Sequence, residues 1–275
     1  MLAELRFVQG SVARKDFLPA LTHFCIEKGT VRGYNGIIAL SSPIPFDIDC
    51  KPKGDQLIKA IRNCNETIAL SMTKAGRLNV KSGAFKAFIE CIEGETSHVE
   101  PEGEHIEING AVMLAALKST SPFIADDASR PWANGVLIKG QSLFATNNVI
   151  LVEYWTGFDF PVVVNLPRQA IKEILRIDEA PDYAQVTETS MTFHYSNKRW
   201  IRTQLLSTEW PDLSKVLERE SKQEPVPEGL FQGLENIAPF VDKMGRVIFH
   251  EGTVRTTLVE GEGASCDVDG LTYSG

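Results

Sequence analysis

The fragment RPWANGVLIKGQSLFATNNVILVEYW, residues 130–155, contains the sequence pattern that decides the fold. An Asn-Gly pair opens an apolar run, a polar turn interrupts it, and a second apolar run follows, as in a β-hairpin. Similar openings occur in GYNGIIALS (33–41) and MGRVIFHEGTV (244–254), and the glycines that mark the three openings are separated by 99 and 110 residues. Three related hairpins in one chain predict a duplicated architecture.

A second repeated element lies between these hairpins. DQLIKAIRNC (55–64) and RQAIKEILRI (168–177) share the pattern Q-x-I-K-x-I, and their glutamines are 113 residues apart. Each is followed by a strand-turn-strand pattern, RLNVKSGAFKAFIE (77–90) and TFHYSNKRWIRTQL (192–205), whose turn serines are 114 residues apart. A helix and a hairpin are therefore repeated together as one unit.

The apolar periods along the chain predict a helix followed by strands, five times over. The helices are expected near 10–22, 54–64, 109–121, 167–177 and 228–240. Pro19 and Pro239 fall late in the first and fifth helices and are expected to kink or shorten them. The predicted fold class is α+β, with antiparallel strands and with the helices on one face of the sheets.

Charged, proline-containing linkers separate the repeats into domains. They are EGETSHVEPEGE (93–104) and ERESKQEPVPE (218–228), and the expected domains are 1–104, 105–221 and 222–275. The third domain holds one helix-plus-strands unit where the others hold two. Either such a half domain is tolerated or the natural chain continues beyond Gly275. A lone unit would leave a sheet edge and an apolar helix face uncovered, so we expect the second alternative.

Composition narrows the class of protein. The 275 residues are 43% hydrophobic, enough for packed cores, yet no apolar run approaches the ~20 residues of a membrane span. Glu4 and Arg6 interrupt the N-terminus, so no secretory signal is predicted and the expected location is the cytoplasm. The five cysteines form no C-x-x-C pair and the five histidines no metal-binding spacing, so we expect reduced thiols, no metal and no cofactor.

The net charge of −8 hides a local excess of basic residues. Ten basic and three acidic residues, a balance of +7 that leaves −15 for the rest of the chain, fall in the segments 11–22, 51–64, 109–121 and 166–177. In the helix 168–177, the cations Arg168, Lys172 and Arg176 recur every four residues within an arc of roughly 80°.

This spacing predicts a helix that packs by an apolar face containing Ile171, Ile174 and Leu175 and presents a basic stripe outward. One interpretation of the stripe is an ordinary solvated helix face. Because Lys59 and Arg62 repeat it in the sister helix, the other interpretation is a localised track for phosphates on an acidic protein.

Several segments resemble the bacterial DNA polymerase III beta subunit family, the DNA sliding clamps. ANGVLIKGQSLFATNNVILV is similar to that family's N-G-[ML]-L hairpin followed by A-T-D-G-H-R-L, and VNLPRQAIKEILRI to its P-R-K helix. STEWPDLSKVL (207–217) is similar to its F-P-D-Y-x-x-V-L, whereas FLPALTHF (17–24) and TYSG (272–275) are weaker matches. The similarity is clearest over residues 105–217.

The resemblance implies the DNA-clamp fold and a ring of two head-to-tail protomers, with helices around the hole and sheets outside. Such a ring holds double-stranded DNA regardless of sequence and tethers DNA polymerase and clamp-loader peptides as a processivity factor in replication. The resemblance therefore implies a non-catalytic accessory subunit of a DNA polymerase. In the homodimer, the edge near 77–92 is expected to pair with strands after Met244 of a second protomer.

The charge pattern and the resemblance together identify candidate DNA contacts. Arg130 and Trp132 match an exposed arginine-aromatic element of the family, although Pro131 replaces an aromatic residue there. The alternatives are plain packing for Trp132 and a solvated loop for Lys28 and Arg32. The complete set is Arg14, Lys15, Lys28, Arg32, Lys53, Lys59, Arg62, Lys118, Arg130, Trp132, Arg168, Lys172 and Arg176.

A partner-peptide pocket is carried over by position from the family's second domain. Its residues here are Thr146, Asn148, Val149, Ile150, Leu151, Pro211 and Val216. The family's Asp-Gly-His-Arg is replaced by Asn-Asn-Val-Ile at 147–150, and the family's C-terminal residues that complete the pocket have no match, so the peptide specificity is expected to differ. Core strand positions are the alternative for Val149, Ile150, Leu151 and Val216.

Two other functions stay open at this point. Asp126 and Asp127, or Asp47 and Asp49, could supply paired carboxylates for acid–base or Mg²⁺ chemistry, as in a hydrolase. A clamp-like protein that closes no ring would instead be a partner-binding module or decoy, and the short third domain is the reason to consider it.

Overall fold

A computed structural model describes the chain at residues 1–13, 15–94, 96, 99–127, 129–217, 225–243, 245–257 and 261–273. The chain divides into two compact units, Met1–Pro211 and Asp212–Gly275. The expected boundary at residue 104 lies inside the first unit, and the division into three domains stays a prediction. Within the described ranges, no helix has both the length and the apolar character that crossing a bilayer requires.

The first unit contains helices and antiparallel strands in alternation. As far as it is described, its helices are α1 (Leu2–Val8), α2 (Gly54–Arg62), α3 (Gly110–Thr120) and α4 (Arg168–Ile177). Its strands are β1 (Cys25–Glu27), β2 (Thr30–Tyr34), β3 (Ile38–Pro43), β4 (Ala69–Met72), β5 (Leu78–Ser82), β6 (Phe85–Ile89), β7 (Glu104–Glu107), β8 (Gly135–Thr146), β9 (Leu151–Pro167), β10 (Tyr183–Val186), β11 (Ser190–Tyr195) and β12 (Arg199–Gln204).

A seven-stranded sheet spans the expected boundary at residue 104. Its strand order is β1-β2-β3-β12-β11-β10-β7, and each neighbouring pair is antiparallel. The central pair joins β3 to β12, with Leu40 opposite Ile201. Both side chains are fully buried, so the core is continuous across this pair. The other sheets of the unit are β4-β5-β6 and the long hairpin β8-β9.

The helices pack by apolar faces, as the sequence predicts. In α2, Leu57, Ile58 and Ile61 are buried, whereas in α4 the buried residues include Ile171 and Ile174. Helix α1 contacts β2 and β3, α2 contacts β6, and α3 and α4 contact β8 and β9. The predicted α+β class and the predicted helices at 54–64, 109–121 and 167–177 are confirmed.

The helix predicted at 10–22 is wrong. The helix of this region is α1, which ends at Val8, and short 3-10 turns follow at Gln9–Ser11 and Pro19–Thr22. Between these turns, the backbone N–H of Leu18 donates to Asp16 Oδ1 at 2.9 Å, a local bond that competes with a helix. Residues 12, 13 and 15–18 therefore form no helix, and we name this segment loop 12–18; Arg14 lies outside the described residues.

The second unit contains one helix-plus-strands module. Its elements are α5 (Ser214–Leu217), α6 (Leu230–Ile237), β13 (Val247–His250), β14 (Thr253–Thr256) and β15 (Ser265–Asp267), with sheet order β13-β14-β15. Its core is formed by Ile237, Val254, Val268 and Leu271. The helix predicted at 228–240 and the hairpin predicted after residue 244 are confirmed.

The cysteines are free thiols, with Cys25 and Cys50 buried. Burial raises the pKa of the Cys50 thiol to about 12, so this thiol stays protonated at neutral pH. A protonated, buried thiol is a poor nucleophile, which agrees with a packing role for Cys50.

Candidate nucleic-acid interface

Basic side chains from loop 12–18, α2 and α4 meet at one groove of the first unit. The groove encloses about 700 Å³, and its charged lining residues are Lys15, Lys59, Arg62, Arg176, Asp55 and Glu173. We name it the basic groove. The sequence predicts these cations on exposed helix faces, and the structure places residues from α2 and α4 side by side although they are more than 100 positions apart.

Two of the cations in the basic groove are paired with its two carboxylates. Lys59 Nζ lies 3.3 Å from Asp55 Oδ2, and Arg176 Nε lies 2.6 Å from Glu173 Oε2. Lys15 and Arg62 are exposed and form no ion pair within the described part of the chain. The groove therefore carries an excess of positive charge on a protein whose net charge is −8.

Arg176 also connects α4 to α1. Its Nη1 donates to the carbonyl of Arg6 at 2.9 Å and its Nη2 to the carbonyl of Phe7 at 2.8 Å. These carbonyls belong to the last turn of α1, where the helix provides no backbone partner. Arg176 thus satisfies the end of α1 as well as lining the groove.

Replacing Arg176 by alanine is expected to lower the free energy of unfolding of the first unit by about 2 kcal/mol, because bonds from a charged donor are worth roughly 1.5–3 kcal/mol. Urea denaturation followed by tryptophan fluorescence measures this unit alone, since Trp132, Trp155, Trp200 and Trp210 all precede residue 212. The control is Lys172→Ala, one turn earlier and exposed, with an expected change within about 0.5 kcal/mol. Equal effects of the two substitutions would contradict the capping role.

The other cations of α3 and α4 lie outside the groove lining. Lys172 is exposed without an ion pair within the described ranges, while Arg168 Nη1 lies 2.7 Å from Asp126 Oδ2. Lys118 Nζ lies 2.6 Å from Asp178 Oδ1. Lys53 is the half-buried residue that precedes α2. Arg168 and Lys118 therefore have carboxylate partners that a phosphate would have to displace.

Lys28 and Arg32 lie at the seven-stranded sheet, in and beside β1 and β2. Lys28 Nζ is 3.5 Å from Glu27 Oε1, and Arg32 pairs with Glu100. Arg202 of β12 pairs with Glu102 and donates to the carbonyl of Glu100. The two arginines thus hold the linker at residues 100–102 against the sheet, a role that the sequence does not indicate.

The predicted arginine-aromatic element and the predicted peptide pocket adjoin each other. Arg130 Nη1 donates to Asn148 Oδ1 at 3.1 Å across the turn between β8 and β9. Trp132 is half-buried and meets Trp210 edge-to-face, with ring centroids 5.0 Å apart. Trp210 was missed as a site residue because no periodic pattern links positions that are 78 residues apart.

Five of the seven pocket candidates lie at this turn or at the strand ends beside it: Thr146, Asn148, Val149, Ile150 and Leu151. Thr146 is buried at the end of β8, Leu151 begins β9, and Pro211 is exposed. Val149 is 89% exposed and Ile150 47% exposed, so the core-strand alternative fails for these two residues. The side chain of Val216 lies outside the described residues.

The turn is held by the side chain of Asn147. Its Oδ1 accepts the backbone N–H groups of Val149 at 3.0 Å and Ile150 at 2.8 Å. Asn148 adopts a left-handed conformation with φ of 72°, which asparagine tolerates better than most residues. The replacement sequence at 147–150 therefore forms a compact turn that presents two apolar side chains to solvent.

The carboxylates considered for catalysis have ordinary surroundings. Asp126 pairs with Arg168, and Asp127 Oδ1 accepts from the backbone and hydroxyl of Ser129 at 2.8 and 2.7 Å. These hydrogen bonds lower the pKa of Asp127. Asp49 Oδ1 accepts the backbone N–H of Lys28 at 3.3 Å. Asp126, Asp127 and Asp49 thus take part in local turn and loop contacts.

No protein-family model matches the sequence, and a search of curated proteins finds no relative. Solved structures, in contrast, are similar along nearly the whole chain. The DNA polymerase III subunit beta sliding clamp from Bartonella birtlesii bound to griselimycin has a TM-score of 0.80 at 16% identity, over 97% of this chain and 81% of that one. The sliding clamp from Bacillus subtilis has a TM-score of 0.78 at 16% identity, over 98% and 81%.

A putative DNA polymerase III beta subunit from Eubacterium rectale is similar at 11% identity, with a TM-score of 0.78 over 98% of this chain and 81% of that chain. At these identities the likeness establishes the fold. The chain has the fold of the bacterial sliding clamps, and the resemblance noted in its sequence segments is confirmed at that level.

Proposed function

We propose that this chain is a DNA sliding clamp, a non-catalytic processivity factor that encircles duplex DNA without reading its sequence and tethers a polymerase. The observation that carries the proposal is the basic groove on the helical side of a clamp-fold protein that is otherwise acidic. Cations that meet phosphates position a protein on DNA without sequence information. The proposed location is the cytoplasm.

The proposed DNA contacts are the cations that are free to meet phosphate. Lys15, Arg62 and Lys172 are exposed and without an ion pair in the described part of the chain, and Lys59 is held only by an exposed pair with Asp55. Exposed ion pairs contribute roughly 0–1 kcal/mol, so Lys59 can exchange its partner for a phosphate at little cost. Lys28, Arg32, Lys53, Lys118, Arg168 and Arg176 are secondary candidates because they have protein partners or structural positions, and Arg14 remains a candidate from its sequence position alone.

The proposed peptide site is the turn between β8 and β9. Val149 and Ile150 offer apolar area to a partner peptide, and Arg130 and Asn148 are hydrogen-bonded to each other beside it. Apolar contact contributes on the order of 25 cal/mol per Å² before ordering costs. The partners proposed for this site are peptides of a DNA polymerase and a clamp loader.

The proposal includes a head-to-tail homodimer and three domains at 1–104, 105–221 and 222–275. The sheet β4-β5-β6 ends in β6, whose Phe88 is 54% exposed, and an exposed apolar strand favours pairing with another strand. The proposed contact joins this edge near 77–92 to strands after residue 244 of a second protomer.

Topological holding is tested on nicked circular DNA. The chain is incubated with the circle, unbound protein is removed by gel filtration at a salt concentration that weakens phosphate contacts, and half of the complex is then linearised with a restriction enzyme. A ring is expected to stay on the circle and to be lost from the linear form. Equal retention on both forms indicates ordinary electrostatic binding and overturns the proposal.

The assembly state distinguishes a sliding clamp from a clamp-like module that closes no ring. Analytical ultracentrifugation of the complete chain is expected to show a dimer. A monomer at every concentration, together with equal binding to circular and linear DNA, would instead favour a partner-binding module or decoy.

A further inference from the structure

Loop 12–18 presents an aromatic side chain that nothing in the described chain covers. Phe17 is fully exposed and the neighbouring Leu18 is 62% exposed. Leaving a phenylalanine ring entirely in water forgoes the stabilisation of burying it, whereas other phenylalanines of this unit, such as Phe24 and Phe193, are almost completely buried.

The loop is held at its base rather than being an unconstrained segment. The backbone N–H of Ala13 donates to the carbonyl of Leu21 at 2.8 Å, which brings the two ends of the loop together. The Asp16 carboxylate binds the N–H of Leu18, and Pro19 begins the 3-10 turn that follows. Phe17 is therefore held at the tip of a closed loop.

Phe17 follows closely in sequence on a residue that lines the basic groove. Lys15 of the same loop lines the groove together with Lys59 and Arg62. Lys15 and Phe17 are two positions apart, so their Cα atoms are separated by at most about 7 Å. An uncovered aromatic ring and a set of cations are thus next to one another on the helical side of the first unit.

This combination matches the chemistry of unpaired nucleotides. Cations that follow the phosphate backbone and an aromatic face on which a base stacks are the two parts of a single-strand binding surface. In a duplex the bases already stack on their neighbours, so a ring gains this contact only where a base is unpaired. A partner peptide would instead need a mainly apolar pocket for its anchors, whereas six of the thirteen residues that line the basic groove are charged and four of these are basic.

We propose that Phe17 stacks on an unpaired base while Lys15, Lys59 and Arg62 bind the adjacent phosphates, so that the chain prefers junctions between duplex and single-stranded DNA. This inference rests on the proposed function for the phosphate contacts, and it adds a contact that ring closure does not require.

The test is fluorescence anisotropy of the full chain with two DNA probes of equal duplex length, one blunt and one with a 5′ single-stranded extension. Phe17→Ala is expected to weaken binding to the extended probe about tenfold, within the range for loss of one base–aromatic stack, and to leave binding to the blunt probe unchanged. Phe17→Trp is expected to restore the preference. The matched control is Phe240→Ala, another exposed phenylalanine, which lies outside the groove lining and outside the strands of the proposed dimer contact.

Other outcomes overturn the inference. Equal weakening on both probes would show that loop 12–18 supports the groove rather than a base contact, and no change on either probe would show that Phe17 does not touch DNA. Binding to phosphatidylglycerol vesicles that Phe17→Ala abolishes, with DNA binding intact, would assign the loop to a membrane surface instead. The circular-against-linear experiment remains independent, because a junction preference that depends on Phe17 can exist without a closed ring.

Discussion

Reversing the charges of Lys59 and Arg62 together, as Lys59→Glu with Arg62→Glu, is expected to lower the affinity for duplex DNA on the order of a thousandfold at low salt. Both side chains line the basic groove and both are exposed. A contact between unit charges is worth about 1 kcal/mol at 4 Å in water, and the substitutions replace it by a repulsion of similar size. The logarithmic dependence of affinity on salt is also expected to become shallower by about 2, because two phosphate contacts are lost.

The control for this prediction is the pair Lys139→Glu with Lys198→Glu. Lys139 of β8 and Lys198, which directly precedes β12, are exposed and lie outside the lining of the basic groove and outside the proposed dimer edge near 77–92. Neither residue is a candidate DNA contact. The control changes the net charge equally and is expected to alter affinity at most about threefold, because distant exposed charges are screened. Fluorescence anisotropy titrations measure the affinity of both double variants for duplex DNA. Equal losses of affinity would mean that the total charge of the protein, and not the basic groove, governs binding.

Replacing Gly110 by alanine is expected to destabilise the first unit by about 3 kcal/mol, although alanine is the better helix former. Gly110 is the first residue of α3, after Asn109, whose Oδ1 accepts the N–H of Val112 at 3.1 Å. A Cβ at Gly110 would lie 1.9 Å from the backbone oxygen of Pro181, far inside van der Waals contact. Because a backbone oxygen cannot rotate away as a side chain can, α3 and the segment that contains Pro181 would have to move apart.

The matched control is Ala115→Gly, at an exposed position in the middle of α3. It is expected to cost about 1 kcal/mol, the ordinary difference between alanine and glycine in a helix. Urea denaturation monitored by tryptophan fluorescence compares the two variants in the first unit. A Gly110→Ala protein as stable as the unsubstituted chain would show that the close approach of Pro181 does not constrain the helix.

The repeated elements could be predicted from the sequence because their patterns are local. In α2 and α4 the apolar period fixes which side is buried, and Lys59, Arg62 and Lys172 consequently fall on the exposed side. The hairpins follow from alternating residues around Gly or Ser turns. The helix predicted at 10–22 was wrong, because the spacing of its apolar residues fits a helix as well as it fits a loop. The Asp16 side chain stabilises a turn instead, and Phe17 is exposed rather than packed in the core.

The partners of the candidate site residues could not be predicted in the same way. Arg168 meets Asp126, and Arg176 meets the end of α1, across 42 and roughly 170 positions of sequence. Such contacts depend on how helices are placed on the sheets, which a local pattern does not encode. The excess of cations in the predicted helical segments could be counted in the sequence. Which of these cations are paired with carboxylates could be seen only in the fold.

The proposed ring would have to open to admit DNA, and the seven-stranded sheet limits where such an opening could form. Separating residues 1–104 from 105–211 would break the ladder between β3 and β12, in which Ser41, Leu40, Ala39 and Ile38 face Trp200, Ile201, Arg202 and Thr203. It would also break the ion pairs of Arg32 and Arg202 with the linker at residues 100–102. The fully buried side chains of Leu40 and Ile201 would become exposed to water. Such a rupture amounts to partial unfolding, so in the proposed ring the entrance for DNA would belong outside Met1–Pro211.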